Sequence, residues 1–179
     1  VNNGNITDAS AVYAGGFVGN IPSSGIAVTI RESYNTGIIT ASSDAAGILA
    51  YSGSGAVISD CYNTGTITAT GASGEAAGIV GYAGSGSSIT NCFSVGVVSA
   101  AKAVGAFVAV YGTSSWYIPP VLTNCYYNTG TSSYTAVAGQ EDATVNNVTT
   151  KTVEQLCSTL PTGFSSRYGV LAQQQMPQP

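Results

Sequence analysis

The phrase CYNTGTITATG at residues 61–71 returns, with small changes, along the first 130 residues of a 179-residue chain. No other feature constrains the fold as strongly. Aligned on its glycine it reads Val1-Asn2-Asn3-Gly4, Tyr34-Asn35-Thr36-Gly37, Tyr62-Asn63-Thr64-Gly65, Phe93-Ser94-Val95-Gly96 and Tyr127-Asn128-Thr129-Gly130, at spacings of 33, 28, 31 and 34 residues. A second phrase lies between these: AGGFVG at 14–19, AAGILA at 45–50, AAGIVG at 76–81 and AVGAFVA at 103–109, with glycines Gly16, Gly47, Gly78 and Gly105. A third precedes each aromatic: TIRES at 29–33, ISDC at 58–61, ITNC at 89–92 and LTNC at 122–125. Three short segments per period of roughly 31 residues is the pattern of a solenoid.

Each segment reads as a strand. Ile6, Ile39, Ile67 and Val98 follow the first glycine and are flanked by Thr7, Thr40, Thr68 and Ser99, an alternation of period two. Gly, Asn and Ser fall between segments, where corners need positive φ or local side-chain hydrogen bonds. No helical period appears before about residue 150. One coil cannot bury its own apolar face, but coils stacked at about 4.8 Å can. Equivalent residues then form columns: Val1, Tyr34, Tyr62, Phe93 and Tyr127 in one, and Asn2, Asn35, Asn63 and Asn128 in the next. The expected fold is all-β, a right-handed parallel β-helix or β-solenoid of about four to five coils.

The sequence CYNTGTITATG, then AAGIVGYAGSG, then SITNC, resembles the GLUG-motif repeats of bacterial cell-surface and secreted proteins. Such repeats occur in regions attached to surface adhesins and to immunoglobulin-cleaving metallopeptidases. The resemblance covers residues 1–130 and implies a stalk or scaffold at the bacterial surface; with no peptidase domain in the chain, it implies no protease activity.

The ends read differently from the middle. Residues 131–179 are expected to be an irregular C-terminal segment with an extended tail. Thr152 and Gln155 sit at capping-box spacing, and Leu156 and Leu160 fit a short helical cap over about 151–160, stopping before Pro161. Val1 begins at the aromatic position of a coil, so the first coil is expected to carry an exposed, pairing-competent edge, or else to continue a longer array. The tail QQQMPQP, with Gln174, is read as docked on a neighbouring copy. Only 7% of residues are charged, against roughly 25% in an average soluble domain. Copies of such a surface repel one another little.

The composition excludes several classes. The net charge is −4 and no Lys/Arg cluster exists, which removes the main attraction for nucleic acid. No apolar run approaches the roughly 20 residues that would insert in a membrane. There is no histidine, so histidine-based triads and metal sites are excluded, and no cofactor is expected. The cysteines Cys61, Cys92, Cys125 and Cys157 include three at the coil period. At least one disulfide is expected among them, the alternative being a ladder of buried thiols.

The best acidic site is the column three residues before the second glycine: Tyr13, Asp44, Glu75 and Lys102. Asp44 and Glu75 should lie about 5 Å apart, a separation that retaining glycosidases use. A second column holds Glu32, Asp60, Asn91 and Asn124, beside turns where such residues are favoured locally. Trp116 and Tyr117, in the long corner TSSWYIPP, together with Val1 and Gln174, are the expected partner contacts. The leading reading is a non-enzymatic extracellular subunit that self-assembles, end to end or laterally, into a filament, tube or layer. An adhesin segment binding a glycan or host protein is the alternative, and a carbohydrate-active enzyme the third.

Overall fold

A computed structural model of the protein describes residues 1–22, 25–128, 135–137 and 143–158. Among these the chain winds as a parallel β-solenoid of about four turns. The first sheet stacks Ile6–Thr7, Ile39–Ala41, Ile67–Ala69 and Val98–Ser99. The second takes Tyr13–Gly15, Asp44–Ala46 and Glu75–Ala77 on one limb and Val18–Ile21, Leu49–Ser52 and Val80–Ala83 on the other. The long strand Ala103–Tyr111 spans both limbs. In the third sheet Val121–Tyr127 likewise joins the limb Val28–Arg31, Ala56–Ser59, Ser88–Thr90 to the limb Tyr34–Asn35, Tyr62–Asn63, Phe93–Ser94.

The expected columns form. Ile6 pairs with Ile39, Ile39 with Ile67 and Ile67 with Val98. Ile39, Ile58, Ile67, Ile79, Ile89, Leu49 and Leu122 have no exposed surface. Each such side chain contributes about 1.5–3 kcal/mol by leaving water. The rings of Tyr34 and Tyr62 stack at 4.6 Å and 4°, and those of Tyr62 and Phe93 at 4.6 Å and 6°. Beside them runs a buried amide ladder. Asn2 donates to Asn35 (2.7 Å), Asn35 to Asn63 (2.8 Å), and Asn35 and Asn63 each donate to the carbonyl two residues on, Gly37 and Gly65 (both 2.9 Å).

The bend in the third sheet has a specific cause. Glu32, Asp60, Asn91 and Asn124 all take left-handed backbone, with φ of 47°, 55°, 52° and 52°. Asn and Asp tolerate that region better than other side-chain-bearing residues, which explains the column. Their side chains also bond along it, Asn91 to Asp60 at 3.2 Å and Asn124 to Asn91 at 3.4 Å.

Three registers differ from the sequence alignment. Phe93 stacks over Tyr126, not Tyr127. The phrase CYYNTG holds one residue more than CYNTG, and the backbone aligns it from Asn124 and Cys125 rather than from its glycine. Tyr127 thereby falls in the amide column, opposite Ser94, and packs edge-on against Phe107 at 6.0 Å and 85°. Gly105 pairs with Ala77, not Gly78, so Ala103 and not Lys102 continues the column of Asp44 and Glu75. The third concerns the far end: Thr144–Thr150, expected to be irregular, pairs in parallel with Val121–Tyr127 and sets Val148 on Cys125. Asn147 repeats the left-handed corner, with φ of 52°, and donates to Asn124 at 2.8 Å. Parallel pairing thus passes the expected boundary at residue 130.

Helix is a minor element, Val153–Ser158. Its capping box forms as expected. The Thr152 amide donates to the Gln155 side chain at 3.0 Å, and the Gln155 amide to the Thr152 hydroxyl at 3.2 Å. Leu156 is buried and joins Tyr62, Phe93, Val95 and Tyr126 in one apolar cluster. Leu160, Pro161 and the tail with Gln174 lie outside the described residues.

Candidate functional site

In-register pairing sets Glu75 directly over Asp44, with Tyr13 one coil before them. Both carboxyl groups lie on the second sheet's first limb, and both residues are nearly enclosed, at 6% and 7% exposure. They sit on the side of the strand away from the apolar core, which receives Ala45 and Ala76 instead. The second limb turns back beside them. Tyr51 stacks on Tyr82 at 4.8 Å, and Tyr13 tilts against Tyr51 at 5.1 Å. Two limbs meeting at the Gly47 and Gly78 corners thus fold carboxylates and phenol rings toward one another.

The charges inside do not balance. Lys102 forms an ion pair with Glu75 while its own side chain stays half-exposed. Asp44 accepts a hydrogen bond from the Ser43 hydroxyl at 3.3 Å and hydrogen-bonds with Glu75. Burial pushes the Asp44 carboxyl up to about 7, the hydrogen bond and charge of Glu75 push the same way, and Ser43 and Lys102 oppose them. Burial, then the charge of Asp44, also raises the Tyr13 phenol. The Lys102 ammonium is held above its ordinary range by its hydrogen bond to Glu75. Two carboxyl groups in hydrogen-bond contact favour one shared proton, since both cannot ionise without cost.

The cysteine column is built as read, but without a bridge. Cys61, Cys92 and Cys125 are buried free thiols. Each donates to the backbone carbonyl two residues before it, on Ser59, Thr90 and Thr123, at 3.2–3.3 Å. Parallel stacking aims their Cβ atoms the same way rather than at each other, which does not suit a disulfide. Burial and the flanking thiols drive the Cys92 thiol well up, toward the unreactive protonated form. The side chain of Cys157 lies outside the described residues.

The remaining expected contacts separate. Trp116 is 78% exposed and Ile118 63%. Tyr117 turns inward instead: its hydroxyl donates to the Ala83 carbonyl, and its ring packs on Tyr111 at 6.2 Å. Val1 is exposed at the first coil. The proximity of Tyr51 and Tyr82 to Asp44 and Glu75 was hidden in the sequence, because it depends on how sharply the AAGI corner folds. Among the described residues no group of three or more acidic or cysteine side chains could hold a metal ion. None of the described helices is long and apolar enough to cross a membrane. Comparison with protein-family models, with curated proteins and with solved structures finds no match to this chain.

Proposed function

We propose that the chain is a non-enzymatic structural module of the bacterial cell surface, a β-solenoid that lengthens by stacking coil on coil with further copies of itself. The observation that carries this reading is the in-register ladder: isoleucine and asparagine columns run from coil to coil, and stacking is what encloses them. Ile6 is 38% exposed where Ile39, the next in its column, is 0%. A coil of another copy laid on such a column would continue it and satisfy the backbone groups that face along the axis. The low charge of the surface and the resemblance to GLUG-motif repeats support the same reading.

Such pairing can be blocked at one atom. The amides of Ile6 and Asp8 donate inward, to Ile38 and Thr40. In a parallel ladder alternate residues donate to the same neighbour, so the Thr7 amide faces the opposite way along the stack. Thr7→Pro removes that donor while sparing the inward bonds. Sedimentation velocity over rising concentration should show wild type growing and Thr7→Pro remaining a monomer. Growth that is equal in the two proteins contradicts stacking through this strand.

A second reading, an adhesin segment, draws on the exposure of Trp116 and Ile118 at a corner that extends beyond the repeat. It calls for glycan or host-protein binding that Trp116→Ala abolishes. The third, a carbohydrate-active enzyme, is poorly supported by two carboxyl groups on residues that are almost fully enclosed.

A further inference from the structure

The stacking reading leaves the Asp44–Glu75 pair unused. It stands at the seam between the second and third coils, in the middle of the stack. Among the described residues, the groups packed against it can be named. Tyr13 faces it from the coil before, and Ala103 is the neutral neighbour in the coil after. Tyr51 and Tyr82 face it from the second limb, with Tyr117 behind Tyr82. Ser43 lies beside Asp44 and Lys102 beside Glu75. Among the described residues one cation therefore faces two enclosed carboxyl groups, and Glu75 already engages it.

We propose that Asp44 and Glu75 share a single proton that holds the second and third coils together, so that this seam is a pH-responsive joint that loosens when the proton leaves. With the proton in place the cluster is neutral: one carboxylic acid, one carboxylate, one ammonium. Its loss to solvent leaves a net negative charge between two coils, with the new carboxylate enclosed and facing its neighbour. The direction follows from linkage. The folded chain keeps this proton to a higher pH than the unfolded chain does. The stability it provides is complete below the ordinary aspartate range and is lost as pH rises to neutrality. The proposal does not depend on stacking between copies, since the seam lies within one chain.

The test is thermal unfolding of wild type, Asp44→Asn and Lys102→Met at intervals from about pH 5 to about pH 8.5. The wild-type midpoint should fall by several degrees across that range, and Asp44→Asn should lose this fall. Lys102→Met, which removes a half-exposed cation, should move the fall to higher pH, because nothing then helps the second carboxylate form. Comparing wild type with Asp44→Asn separates this pair from every other titrating group. A wild-type midpoint independent of pH, or an equal slope in Asp44→Asn, overturns the proposal. Infrared spectroscopy of wild type keeps the question open to decision if Asp44→Asn does not fold. A protonated-carboxyl C=O band near pH 6 that vanishes by about pH 8.5 is the expected result, and a spectrum without that band near pH 6 refutes the shared proton.

Discussion

Asn63 has no exposed surface, yet every polar group on its side chain has work to do: it donates to Gly65 and accepts from Asn35. Ser94 takes the same position one coil on, and its buried hydroxyl has no hydrogen-bond partner among the described residues. The two should respond oppositely to truncation. Asn63→Ala leaves two buried groups unsatisfied and should cost about 2–3 kcal/mol. Ser94→Ala removes a hydroxyl with no partner among the described residues and should change stability by no more than about 0.5 kcal/mol. Urea unfolding of the two variants measures both. The corner above the ladder is as restrictive. A Cβ on Gly47 would meet the Gly78 carbonyl and stand 2.7 Å from the Asn63 amide carbon. Gly47→Ala should therefore destabilise by about 3 kcal/mol or more, because backbone and not a flexible tip must move. The recurrence of Asn and Gly in the repeat was visible in the sequence. Which atom each one satisfies was not, since that depends on how far apart the stacked corners sit.

At the scale of the strand, phrases are more reliable than their alignment. All three phrases became paired segments, because a period-two pattern flanked by Gly and Asn has few other ways to bury its isoleucines. The alignment failed wherever spacing between anchors changed. Gly105 and Tyr127 were placed by counting from glycines, whereas the chain keeps register at its left-handed corner and lets residues slip elsewhere. For the same reason Lys102 reaches Glu75 from beside the column rather than within it. The strand Thr144–Thr150 was missed because its hydrophobic pattern has faded to Val145 and Val148. Its Val-Asn-Asn-Val order nevertheless matches Ile89-Thr90-Asn91-Cys92, and that was the available signal. If Asn147 holds this strand in place, Asn147→Val should weaken it, since a β-branched residue at positive φ is strained. Hydrogen exchange would then show protection lost over residues 144–150 while the amides of Ala103–Tyr111 stay protected. Equal protection in the variant and the wild type would mean that this corner does not anchor the strand.

Over the whole molecule, each coil rests on its neighbours alone, so stability accumulates along one direction. The solenoid could be read from the repeat. The joining of carboxylates, phenols and one lysine at the seam of the second and third coils could not, because they come from both limbs of a folded corner. The three thiols serve the stack of coils as packing rather than as links, enclosed and unbridged. The most direct measurement is negative-stain electron microscopy of the concentrated protein, with and without a reducing agent. The account predicts filaments lengthened along the coil axis, equally abundant in both buffers and absent for Thr7→Pro. Dispersed single particles at every concentration would contradict it.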